Sequence, residues 1–150
     1  MPWPFSRKKK MIPIGPVELT DDEMQECQAM IRSLTQAEGG QYVMREDVAD
    51  SFKRSIIAMC LMGRAERFLA LSKNEAACQS AAKACAVFPV SIYFYDFGCI
   101  LKGAGKGADA RLMFQEFLRR HRIEQPDSMM QATLNQRDVE GAVRHAQNEV

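Results

Sequence analysis

The stretch Tyr93–His121, YFYDFGCILKGAGKGADARLMFQEFLRRH, places the glycine-rich segment GAGKG between two apolar blocks. A phosphate-binding loop needs a glycine, four residues and then Gly-Lys-Ser/Thr, all after a buried strand. Here Gly107 follows Lys106, and the preceding residues have a helical period. The sequence therefore predicts that Gly103 to Gly107 is a turn between two antiparallel helices. These helices are expected to bury one set of aromatic rings, Phe94, Phe97, Phe114 and Phe117.

Helix-start signals recur along the chain. Thr20 with Glu23 and Ser72 with Glu75 both have the form of a capping box, in which two side chains satisfy free backbone amides of the first turn. Asp127 is expected to cap a short helix, and Asn135 with Asp138 are expected to start a last one. No window shows sustained alternation of β-branched residues. The sequence therefore predicts an all-α domain of six or seven helices.

Length and composition narrow the class of protein. A chain of 150 residues is long enough for one domain with a substantial core. A hydrophobic content of 47% and a net charge of +1 are typical of a folded globular protein and give no bulk electrostatic reason to expect nucleic acid. Five cysteines without a CxxC pair predict free, buried thiols in a reducing compartment. With neither a secretion signal nor a membrane-spanning run in the sequence, we expect a cytoplasmic protein.

The N-terminal residues differ in composition from the rest of the chain. Residues 1–17 contain four prolines and a run of four basic residues, so we expect a flexible tail. Trp3 and Phe5 lie beside the basic run, which favours weak, salt-sensitive contact of residues 1–10 with an anionic membrane surface. An ordinary solvated tail is the alternative. Residues 18–150 are expected to form a single helical domain.

A spacing pattern connects the helices on either side of the glycine-rich turn. It reads Phe94-x2-Phe97-Gly98-x2-Leu101-x3-Gly105-x4-Ala110-x3-Phe114. Upstream, Met59, Met62 and Gly63 fall at the first three of these positions, and Ala77-x3-Ala81-x2-Ala84-x4-Pro89 continues the pattern after two extra residues. This pattern, over about residues 56–122, resembles the tetratricopeptide repeat. Gly107, Phe117 and Arg122 depart from the family pattern, and generic packing of helices remains an alternative.

The resemblance implies both an architecture and a class of function. The fold would be antiparallel helix hairpins stacked as a short tetratricopeptide-like solenoid, with flanking N-terminal and C-terminal helices, the latter at about residues 127–148. In that family, a groove lined by the first helix of each pair receives peptides or partner helices. Carried onto this sequence, the partner-binding residues would be Arg64, Arg67, Phe68, Tyr95, Asp96 and Lys102.

The resemblance therefore implies a non-catalytic adaptor or chaperone that holds another protein, for example within a bacterial secretion or assembly apparatus. The basic residues Arg64, Arg67 and Lys102 favour an acidic peptide or helix, although a solvated basic helix face is an equal alternative. A nucleic-acid-binding regulator is the second hypothesis, and it would use basic residues from several helices: Lys53, Arg54, Arg64, Arg67 and the cluster Arg119 to Arg122.

Signals for catalysis are few. The two histidines, His121 and His145, both lie within helical patterns, and no HExxH, GxSxG or cysteine cluster with metal-ligand spacing occurs. We therefore expect neither an enzyme nor a small-molecule substrate, and we expect no cofactor and no metal. Most of the ten methionines, among them Met24, Met59 and Met113, are expected to fill the core.

Overall fold

The computed structural model describes residues 18–37 and 46–150, with side chains described for 18–33 and 50–150. All regular secondary structure in these ranges is α-helical, which confirms the predicted all-α class. The helices are α1 (Asp21–Ala37), α2 (Glu46–Ala70), α3 (Asn74–Val87), α4 (Ser91–Gly103), α5 (Gly107–Ile123), α6 (Ser128–Asn135) and α7 (Val139–Glu149). The predicted features of residues 1–17, including the tail and its membrane contact, lie outside the described residues.

Most of the predicted helix starts are confirmed. Thr20 and Glu23 form a reciprocal capping box: the Thr20 amide donates to Glu23 Oε1 at 2.9 Å, and the Glu23 amide donates to Thr20 Oγ1 at 3.3 Å. Asp127 and Asp138 accept backbone amides at the starts of α6 and α7. The capping box at Ser72 is wrong, because Ser72 lies in the preceding turn at φ 60° and α3 begins without a side-chain cap.

The same type of turn joins the two helices in each of the central helix pairs. In the first hairpin (α2 and α3), the Ser72 amide donates to Leu69 O at 3.0 Å and the Lys73 amide donates to Phe68 O at 2.9 Å. The second hairpin (α4 and α5) has the same two hydrogen bonds. The Gly105 amide donates to Lys102 O at 3.1 Å, and the Lys106 amide donates to Leu101 O at 2.9 Å. Ser72 at φ 60° corresponds to Gly105 at φ 78°, the left-handed residue that ends a helix in this motif.

This shared turn relates the two hairpins by a fixed shift: residue n of the first corresponds to residue n + 33 of the second, as Ser72 does to Gly105. The buried residues follow the same shift. Phe94, Leu101, Ala110, Phe114 and Phe117 of the second hairpin are at most 2% exposed. Of their counterparts in the first hairpin, four are at most 1% exposed and the fifth, Phe68, is half-buried. These are Leu61, Phe68, Ala77, Ala81 and Ala84.

The glycines of the two first helices are not equivalent. A Cβ atom on Gly98 would lie 2.7 Å from Phe114 Cε1, so the Phe114 ring packs directly on the α4 backbone. The counterpart of Gly98 is Ala65, which is fully buried. A Cβ atom on Gly63 would contact only the Arg67 side chain, at 3.6 Å. The predicted alignment of Gly63 with Gly98 is therefore wrong by two residues, and the two extra residues predicted between the helices of the first copy are absent.

The helices pack in a repeating order. Within each hairpin the two helices pack along their length, and α4 contacts both helices of the first hairpin. In the same way, α7 contacts both helices of the second hairpin, while α1 packs on α2 at the other end. The short α6 turns back to α2, where Ser51 Oγ donates to Asp127 Oδ2 at 3.4 Å. No helix in the described part of the chain has the length and apolar content needed to cross a membrane.

Candidate partner-binding faces

The six residues predicted to bind a partner fall on two separate faces of the helix stack. Arg64 and Arg67 point from α2 toward α1, whereas Tyr95, Asp96 and Lys102 contact the C-terminal segment that contains α7. Phe68, the sixth, lies under the Arg64 guanidinium, whose central carbon is 5.4 Å from the ring centroid. The structure therefore does not bring the six into one groove lining.

The first face, which we call the α1-facing surface, consists of Cys60, Arg64 and Arg67 of α2 with Lys83 of α3. The carboxylate of Glu26 in α1 accepts a hydrogen bond from Arg64 Nη1 at 2.6 Å, and its other oxygen accepts one from Arg67 Nη2.

One turn earlier on α1, Glu23 Oε1 accepts a hydrogen bond from Lys83 Nζ at 2.7 Å. The side chains of Glu23 and Lys83 are only 6% and 13% exposed, so this ion pair is largely withdrawn from water. Three basic side chains of α2 and α3 thus hold two carboxylates of α1.

Protonation equilibria reflect this pairing. Burial alone would raise the pKa of Glu23, but hydrogen bonds from Lys83 and Thr20 outweigh it and lower the pKa below its ordinary value. Glu26 behaves alike: burial opposes ionisation, while hydrogen bonds from Arg64 and Arg67 lower its pKa. Burial raises the pKa of the Cys60 thiol to about 12, because a thiolate would be desolvated there. The carboxylates are therefore ionised and the thiol neutral at physiological pH.

The second face joins α4 to the C-terminal segment. The Tyr95 hydroxyl and His145 Nδ1 share a hydrogen bond of 2.7 Å. Arg137, in the link before α7, donates two parallel hydrogen bonds to the Asp96 carboxylate at 2.6 and 2.8 Å. Lys102 pairs with a carboxylate near the end of α7. The predicted binding residues of α4 are therefore already paired within the chain, with α7 and with the link before it.

Sequence reasoning missed two features of these faces. The sequence assigns Glu23 to a capping box with Thr20, but no motif in it indicates that Glu26 pairs with α2. Met59 was expected in the core but is 45% exposed, and Met24 is 42% exposed. The 33-residue shift supplies the missing signal, because it places Arg64 and Arg67 at the positions of Phe97 and Ile100, two buried residues of α4.

The basic clusters of the second hypothesis are largely paired within the chain. Arg119 and Arg120 both bind the carboxylate of Glu116, at 2.6 and 2.8 Å, and Arg120 also stacks on the Phe94 ring at 4.0 Å from its centroid. Arg54 pairs with Asp50 one turn away. Within the described ranges, no group of three or more His, Cys, Asp or Glu side chains is arranged to hold a metal ion.

Comparison of the chain with protein-family models, with curated proteins and with solved structures found no significant match.

Proposed function

We propose that this protein is a non-catalytic interaction module of tetratricopeptide-like architecture that holds a peptide or helix of another protein. The observation that carries the proposal is the 33-residue shift between the two hairpins, with the same turn and with several buried positions in common. Tetratricopeptide units repeat every 34 residues or so, and their helix pairs stack to leave one continuous face for a partner. An adaptor or chaperone is the role that such a stack serves.

Three first-type helices would form that face: α2, α4 and α7. Supporting this, α7 contacts both helices of the second hairpin as α4 contacts both helices of the first. We call the residues of α2 and α4 on this side the first-helix face; they are the exposed Met59, Glu66 and Lys102 and the half-buried Cys99. Met59 and Glu66 are two turns apart on α2, and Glu66 corresponds to Cys99 by the 33-residue shift. An exposed methionine suits a peptide surface because its flexible thioether adapts to different side chains.

The test is capture of a partner from native cells by the tagged full-length chain, with cross-linking and mass spectrometry. Met59→Lys alters the first-helix face, and Leu112→Lys is a matched control because Leu112 is 47% exposed but lies on α5. We expect a captured protein to be lost with Met59→Lys and retained with Leu112→Lys. Equal capture by the two variants would contradict the assignment of this face.

The nucleic-acid hypothesis predicts a different result for the same tagged protein. A nucleic-acid binder would be retained on DNA or heparin at physiological salt and would lose retention when its arginines are replaced. With Arg54, Arg119 and Arg120 each held by a carboxylate of the same helix, we expect elution below physiological salt. Retention that disappears with Arg119→Glu would favour nucleic acid over protein as the partner.

A further inference from the structure

The α1-facing surface is unusual for a helix interface in this stack because it is built from charge. By the 33-residue shift, its residues Cys60, Arg64 and Arg67 correspond to Tyr93, Phe97 and Ile100 of α4. Those three side chains are 6%, 0% and 4% exposed and belong to the hydrophobic core. The equivalent strip of α2 instead presents two arginines to the helix that covers it.

Few of the described side chains of α1, the helix that covers this surface, are buried apolar groups. Among the described side chains of α1, Cys27 is the one apolar group that is buried, and it lies beside Cys60. Met24 is largely exposed, and Met30 and Ile31 are only half-buried. By contrast, α3 buries nine of its side chains. The Glu26 ion pairs are partly exposed and contribute on the order of 0–1 kcal/mol each, so among the described side chains the main anchors of α1 are the largely buried Glu23–Lys83 pair and Cys27.

The fit between α1 and this surface is also incomplete. Arg64 Nη1 binds Glu26, but Arg64 Nε is buried and has no hydrogen-bond partner among the residues that the structure describes. A buried donor without an acceptor retains the free-energy cost of having lost its water. A helix that supplied one more acceptor at this point would satisfy Arg64 better than α1 does.

We propose that the α1-facing surface is a docking site for an acidic amphipathic helix of a partner protein, and that α1 is the intramolecular helix which that partner displaces. The partner helix would carry two carboxylates three or four positions apart, as α1 does with Glu23 and Glu26, and one small apolar residue against Cys60. This inference rests on the proposed function in that the occupant is a protein, but it concerns a different surface from the first-helix face.

The displacement is testable with the helix sequence itself as the probe. A fluorescent synthetic peptide of residues 18–37 is titrated against the full-length protein and its Glu26→Lys variant, and binding is followed by fluorescence anisotropy. In the wild type, the tethered α1 competes at a local concentration on the order of 1 mM. Glu26→Lys repels the tethered helix from Arg64 and Arg67, so we expect the peptide to bind that variant at least about tenfold more tightly.

A charge-swapped variant controls for damage to the fold. In Glu26→Lys/Arg64→Glu/Arg67→Glu, the tethered helix regains opposite charges, so peptide binding should return to the low level of the wild type. Alkylation of cysteines gives an independent reading of α1: Cys27 and Cys60 should become reactive in Glu26→Lys and protected again in the charge-swapped variant. Cys85, buried within the hairpins, should stay protected in all three proteins if they remain folded.

Two results would overturn the proposal: a folded Glu26→Lys variant that fails to bind the peptide, or peptide binding that persists in the charge-swapped variant. Either would leave the proposed function intact, because partner capture through Met59 does not involve α1. Conversely, loss of the Met59-dependent partner would leave the peptide result unaffected.

Discussion

The first hairpin packs alanines where the second packs aromatic rings. At equivalent positions of α3 and α5, Ala81 corresponds to Phe114 and Ala84 to Phe117, all of them buried. In the second hairpin the Phe114 ring fits because Gly98 removes a side chain from the facing helix. One turn geometry is therefore compatible with two ways of filling the interior of a hairpin: with small side chains on both helices, or with an aromatic ring that packs against a glycine. The comparison teaches that the turn and the spacing are shared, while the volume of each core is set locally.

The largest difference is expected on truncating the aromatic core. Phe117→Ala should lower the free energy of unfolding by about 3–5 kcal/mol, because it removes a fully buried ring and leaves a cavity. At the equivalent position of the first hairpin, Ala84→Gly should cost only about 0.5–1 kcal/mol, mainly through backbone entropy. Urea denaturation followed by circular dichroism measures both. Similar losses at the two positions would show that the hairpins do not differ in core volume as described.

The next largest effect concerns the two glycines of α2 and α4. Gly98→Ala should cost about 1–3 kcal/mol, since its new Cβ would lie within 3 Å of two Phe114 ring atoms. Gly63→Ala, whose new Cβ would lie at an ordinary contact distance of 3.6 Å from Arg67 Nη1, should instead stabilise the protein by about 0.5–1 kcal/mol through its better helix propensity.

Thermal and urea unfolding distinguish the signs of these two changes. Adding Phe114→Leu to Gly98→Ala should recover part of the loss, because the smaller side chain makes room. A stabilising Gly98→Ala would disprove the ring-against-glycine packing.

Much of this comparison could be predicted from the sequence, and the parts that could not share a physical cause. The glycine-rich turn and the burial of Phe94 and Phe114 follow from local spacing, which is visible in a single chain. The register of the first hairpin was misjudged because Gly63 offered a more obvious small residue than Ala65. Its turn relies on Ser72 in a left-handed conformation, which L-residues seldom adopt.

The charged interface could not be predicted for a different reason. Glu26 and Arg64 are 38 positions apart, and their pairing depends on how α1 is placed against α2. No spacing rule within one helix contains that information. The apolar period of α1 correctly indicated a helix, but it did not indicate which helices would receive it, nor that its carboxylates would pair with basic side chains of α2 and α3.

In the two turns, we expect smaller changes in stability, of similar size and opposite sign. Ser72→Gly should stabilise the protein by about 1 kcal/mol, because glycine adopts the left-handed conformation without the steric cost of a Cβ atom. Gly105→Ser should destabilise it by a similar amount, since it introduces that cost at φ 78°. The unfolding midpoint in urea reports both shifts. Two changes of the same sign would mean that the turns are not equivalent.

The smallest change in stability is expected where α1 covers the first hairpin, and this change depends on pH. The folded-state pKa values of Glu23 and Glu26 are depressed from an ordinary value near 4.5, so their stabilisation is fully present above that pH. It is lost as the pH falls through the depressed values, because protonated carboxyls no longer pair with Lys83, Arg64 and Arg67.

Hydrogen exchange, expressed as protection factors, should therefore show α1 opening several-fold more below about pH 4.5, while α4 and α5 stay protected. Glu116 also has a lowered pKa, but its partners Arg119 and Arg120 lie on its own helix, so Glu116→Gln is a suitable control. Glu26→Gln should loosen α1 already at neutral pH and flatten its pH dependence. Protection of α1 that is independent of pH would contradict a role for these carboxylates.

The return of α6 to α2 has a consequence for how the protein unfolds. Serial helix arrays, in which each unit touches only its neighbours, lose their units from either end in partial steps. Here the hydrogen bond between Ser51 and Asp127 joins residues 76 positions apart and connects the start of α6 to the first part of α2. Removing the chain after residue 126 would uncover part of the first hairpin as well as the second. We therefore expect that shortening the chain at its C-terminal end weakens the first hairpin as well as the second.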